Sequence, residues 1–194
     1  MKLTKITGSH AGRILLAAVP VAIVGTITMG SVANGAVPVS FSISGQQFHL
    51  SATSLEGKNF SQYAGTVKDT AGNNRDVAIA NIGSATLTDL CQSVSAGNVG
   101  VLITAGGGDK PVTATDLQIG MTDLKGDASF SNIRIGVDAS TVNTTNQGSA
   151  GDFAQDADSI TIKGLQQTAW STSAGVFNLN GMHVQITDGT KDCF

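Results

Sequence analysis

At 194 residues the chain is long enough for one domain with a core of its own and too short for two comfortable ones. Charged residues make up 13%, Gly numbers 24, and Glu56 is the one Glu beside thirteen Asp. So few long charged side chains argue against helices, and the Thr, Val, Ile, Ser and Gly content points to strands joined by tight turns.

Residues 1–33 have the grammar of an export signal. Lys2, Lys5 and Arg13 form a basic start, residues 14–29 are uncharged and largely apolar, and Ser31-Val32-Ala33 supplies small residues for cleavage after Ala33. The apolar run is short for a bilayer span, so no transmembrane segment is expected in the mature chain. Removing this segment takes three of the eleven basic residues and none of the fourteen acids, leaving a net charge of −6. A mildly acidic domain without a basic stripe is a poor binder of nucleic acid or anionic lipid.

Residues 34–40 read as a flexible leader and 41–194 as a single all-β domain. Strands are predicted at Phe41-Ser-Ile43, Phe48-His-Leu50-Ser-Ala52, Val77-Ala-Ile79, Ala85-Thr-Leu87 and Val99-Gly-Val101-Leu-Ile103, then at 115–120, 128–130 and 133–137. The run 69–76 has the composition of a surface turn. Gly106-Gly-Gly108-Asp-Lys110 lacks the phosphate-loop spacing and reads as another turn. Residues 138–151 are polar and of low complexity, which predicts a long mobile loop. A final block, 158–186, carries Trp170 and His183.

That block has echoes. Thr161-Ile-Lys-Gly-Leu165-Gln-Gln167-Thr168 aligns with Thr86-Leu-Thr-Asp-Leu90-Cys-Gln92-Ser93. A looser copy begins at Ser54 and reaches Phe60-Ser-Gln62, and Val184-Gln-Ile186 echoes Leu117-Gln-Ile119. Weak repeats among many short strands predict a two-layer β-sandwich, with an irregular β-solenoid as the alternative.

The two cysteines of the mature chain, Cys91 and Cys193, are an even count in an exported protein and are expected to form a disulfide. No cofactor and no metal site is expected, because the Asp groups at 123–127 and 152–158 lack calcium-loop spacing and suit turns. The elbow motif of α/β-hydrolases does not occur. After signal removal His49 and His183 are the histidines left, and solvent-facing strand positions explain both. Were the chain a hydrolase, His183 would be the base, Asp188 its orienter, and Trp170 and Phe177 the lining of an apolar ligand site. Core packing is the plainer role for those two aromatics.

Ser44-Gly-Gln-Gln-Phe48, residues 84–92, Gln167-Thr-Ala-Trp170 and the terminal Asp192-Cys-Phe194 together carry a resemblance across nearly the whole chain. The sequence resembles a family of small secreted actinobacterial proteins of unknown function, some members of which carry the label cholesterol esterase. The resemblance implies export from a Gram-positive cell and transfers no catalytic residue. The expectation is a secreted, extracellular or cell-wall-associated β-domain with a binding or structural role, its partner a cell-wall component or a lipid or sterol. A steryl or carboxylic ester hydrolase is the alternative.

Overall fold

The computed structural model describes residues 42–43 and 45–194. The expected signal, 1–33, and leader, 34–40, lie outside the described residues. Within them the chain forms β1 (Ser42–Ile43), β2 (Phe48–Asp69), β3 (Asn74–Thr88), β4 (Leu90–Ala96), β5 (Val99–Ala105), β6 (Val112–Ser131), β7 (Arg134–Asp138), β8 (Phe153–Ser173), β9 (Val176–Asn178) and β10 (His183–Thr187). A 3-10 turn, Ala139–Thr141, follows β7.

The all-β expectation holds. The sheet, however, closes on itself where two separate layers of short strands, or a solenoid, are predicted. β2 pairs with β3, β3 with β6, β6 with β8, and β8 returns to β2, every pair antiparallel. This ring is a small barrel, and closure removes the exposed edges of its four strands. From β2 the sheet also branches outward through β4 and β5 to β10, while β1, β7 and β9 flank β2, β8 and β6.

The ring strands run to 22, 15, 20 and 21 residues, far longer than predicted. The reason lies in how their apolar residues are spaced. Along β2 the inward positions are Leu50 and Ala52, then Leu55 and Gly57, then Phe60. Each pair keeps the period of two, and each step between pairs contains one extra residue, as a bulge does. β8 repeats this with Ile160 and Ile162, then Leu165 and Gln167, and β6 with Val112 and Ala114, then Leu117 and Ile119.

Three of these four steps carry a left-handed residue, and another such residue stands between β3 and β4. Asn59 (φ 54°) precedes Phe60, Asp89 (φ 52°) precedes Leu90, Asp116 (φ 49°) precedes Leu117, and Gly164 (φ 60°) precedes Leu165. Gly, Asn and Asp enter this region at least cost, which is why those residue types stand there.

The internal repeat has a structural counterpart. Its two copies lie on opposite sides of β2 in the same register. Glu56 faces both Thr86 and Thr161, Leu55 faces both Leu87 and Ile162, Leu50 faces both Gln92 and Gln167, and His49 faces both Ser93 and Thr168. Two segments that meet the same strand in the same register face the same packing demands.

Leu55, Leu87, Val112 and Ile162, each 3% exposed or less, stack as one level of the interior. Gly57 lets the wall come close, since a Cβ there would lie 2.6 Å from Ile82 Cγ2. The interior retains an apolar gap of about 60 Å³ bordered by Gln167, whose Nε2 has no hydrogen-bond partner among the described residues. The echo between 184–186 and 117–119 does not extend to environment. Leu117 and Ile119 are buried, whereas Val184 and Ile186 sit exposed on the outermost strand.

Candidate functional site

The residues named for hydrolase chemistry lie on the outermost strand, in the turn after it and against two apolar clusters. His183 is exposed at the start of β10. Asp188 turns back on its own segment, accepting from the amide of Thr190 at 3.1 Å and its hydroxyl at 2.6 Å; these bonds hold its carboxyl below the usual range. Trp170, like Ile79, packs against Val67 and Val77, with the Arg75 guanidinium 5.0 Å over its ring, while Phe177 packs against the main core. The two aromatics thus belong to different apolar clusters.

A histidine, an aspartate and a serine do meet elsewhere, at the C-terminus. Cys91 and Cys193 are joined by a disulfide with Cα atoms 5.7 Å apart, closing a sequence separation of 102. The bond lays the tail across the alternate residues of β2 and β4 that face away from the barrel interior. Ser51 donates to the Cys193 carbonyl at 3.5 Å and Ser95 to the Gly189 carbonyl at 3.2 Å. His49 Nδ1 lies 2.6 Å from Asp192 Oδ2, Ser93 donates its hydroxyl proton to Asp192 Oδ1, and the Phe194 ring stacks on His49 at 4.8 Å. Burial raises the Asp192 carboxyl, but the bonds from Ser93, the Cys193 amide and His49 outweigh it and hold the group below its ordinary value.

The order of these groups decides their chemistry. A nucleophilic triad places the imidazole between hydroxyl and carboxylate, so that the histidine takes the serine proton. Here the carboxylate stands in the middle, and Ser93, 3% exposed, is committed to it. The cluster is built to hold the tail.

A second feature is an open cleft of about 250 Å³ above the β2–β3–β6 wall. Its floor follows the step in the strands. The β2–β3 register runs from Lys58↔Ser84 to Phe60↔Ile82, and the β3–β6 register from Ser84↔Thr115 to Ile82↔Leu117. Asn59, Gly83 and Asp116 therefore stand side by side where the ladder skips. Asn59 and Asp116 are exposed and make no side-chain hydrogen bond among the described residues.

The far wall of the cleft is residues 143–146, part of the segment expected to be a mobile loop. The structure pins that segment. Asp156, 1% exposed, takes two bonds from Arg134 (Nε 2.8 Å, Nη2 2.5 Å) and one from the Asn143 amide at 2.8 Å. The Arg134 bonds overcome the upward push of burial and hold its carboxyl low. Asp138 accepts from the Ser140 and Gly151 amides, and Ala139 and Val142 are buried with Ala154. A chain of buried polar groups then ties loop to barrel. Gln118 donates to Asn81 at 2.9 Å, Asn81 to Ser61 at 3.2 Å, Ser61 and Thr144 share a bond of 2.6 Å, and Thr144 donates to the Asn146 carbonyl at 2.8 Å.

Among the described residues no group of three or more His, Cys, Asp or Glu is placed to hold a metal ion. Sequence reasoning missed the cleft, although Asn and Asp immediately before a buried Phe or Leu were visible in it. Comparisons with curated proteins and with solved structures give no match. Residues 44–194 match a protein family described as a family of unknown function, DUF6230. With the match running from the entrance to the first ring strand through to Phe194, the chain belongs to this family.

Proposed function

We propose that the chain is an exported β-domain of the cell envelope or the extracellular space, and that its role is to bind. The Cys91–Cys193 disulfide carries this reading, because such bonds form and persist in oxidising compartments. The basic, apolar and small-residue order of 1–33 supports it as an export signal cleaved after Ala33. A binding role is favoured over ester hydrolysis because the histidine, aspartate and serine that meet are ordered with the carboxylate in the middle.

The test is fractionation of the producing cell into cytoplasm, wall and medium, with N-terminal sequencing of the recovered protein. A chain starting at Asn34 in the wall or medium is the expected result. A full-length chain confined to the cytoplasm would overturn export. Hydrolysis of p-nitrophenyl or cholesteryl esters that disappears in His49→Ala or His183→Ala would overturn the binding role.

A further inference from the structure

The cleft has a chemistry of its own. Its lining contains one carboxylate, Asp116, and no Lys, Arg or His, so nothing in it pairs with an anion. The rest of its polar surface comes from amides and hydroxyls, the groups that donate and accept at once and match a ligand dense in hydroxyls. At about 250 Å³ it falls just below the roughly 300–1,000 Å³ of sites for drug-sized ligands, which suits one sugar-sized ring.

Two of its uncommitted side chains stand on left-handed backbone. Asn59 and Asp116 both hold a positive φ, and such residues cluster where a ligand is clamped. Behind them the buried chain from Gln118 through Asn81, Ser61 and Thr144 keeps the opposite wall fixed, so the groups are pre-positioned. We propose that this cleft is a binding site for a neutral saccharide ring, with Asn59 and Asp116 contacting its hydroxyls. The proposal rests on the binding role above and is independent of export.

The experiment is an NMR titration of the purified ¹⁵N-labelled protein with glucose, mannose, galactose and N-acetylglucosamine, beside glucuronic acid. The variant is Asn59→Gly/Asp116→Gly, in which glycine keeps the left-handed backbone while both side chains go. Saturable shifts at the amides of Gly83, Asp116 and 143–146 are expected with at least one neutral sugar. Affinity is expected to drop tenfold or more in the double variant, with an unchanged melting temperature. No saturable shift at these amides with any neutral sugar, or equal affinity in the variant, would overturn the site. Glucuronic acid binding as tightly as glucose would overturn the assignment to a neutral ligand. A cytoplasmic, reduced protein that still binds sugar would sink export alone; an exported protein blind to every sugar would sink this site alone.

Discussion

Asn59 of β2 and Gly83 of β3 face one another where the ladder skips, and a Cβ on Gly83 would lie 3.2 Å from both Cβ and Nδ2 of Asn59. The bareness of one residue makes room for the left-handed turn of the other. The same device, an Asn, Asp or Gly before an inward Leu or Phe, recurs around the ring and lets long strands keep packing their interior.

The device has a direct test at Gly164, where an added Cβ meets nothing within 4 Å and only the backbone conformation (φ 60°) resists substitution. Gly164→Ala is expected to cost about 1–2 kcal/mol and Gly164→Asn clearly less, because Asn tolerates the left-handed region. Urea denaturation of the two variants measures the difference. Equal stability would mean that this conformation is not required.

Gly57 tests close packing instead. Its Cβ would stand 2.6 Å from Ile82 Cγ2 and 3.1 Å from Ile160 Cγ2, both on buried side chains. Gly57→Ala should destabilise by about 1–3 kcal/mol through overpacking. A variant as stable as the parent would show that the barrel wall yields.

The pinned segment 138–151 depends on Asp156. Asp156→Ala leaves Arg134 and the Asn143 amide without their acceptor and is expected to cost roughly 2–3 kcal/mol. Amide exchange should accelerate over residues 139–147 and leave β4–β5 unchanged. Uniform acceleration would contradict the local role.

Acid should weaken the fold in a defined direction. Asp69 is lowered to about 2, chiefly by the Asn73 side chain, and Asp138 and Asp156 are lowered as well, chiefly by hydrogen bonds from Ser140 and from Arg134. A carboxyl lowered on folding contributes stability above its unfolded value and loses it as pH falls toward its folded value. The urea midpoint should therefore hold above about pH 4 and fall steadily toward pH 2. A midpoint that rises on acidification would contradict these contacts.

How much of this was legible follows from particular residues. Composition carried the all-β class, and the two cysteines carried the disulfide. Strand length was not legible, because a strand whose inward residues step from Ala52 to Leu55 and from Gly57 to Phe60 breaks its alternation and reads as several short ones. The repeat was visible, but that its copies flank β2 in one register depends on long-range pairing. Low complexity at 138–151 suggested mobility, since Asp138 and the distant Asp156 give no local sign that they will capture that segment's amides. Val184-Gln-Ile186 matched a buried segment in pattern and lies exposed, because alternation reports which residues share a face and says nothing of what covers it.

The C-terminal tail is fastened to β4 by the Cys91–Cys193 disulfide. Reducing the Cys91–Cys193 bond should cost about 2–5 kcal/mol for so long a loop. The most direct measurement is a non-reducing peptide map of the protein recovered from the medium or wall. A single peptide pair linked through Cys91 and Cys193 is expected; two free thiols in that protein would contradict the disulfide.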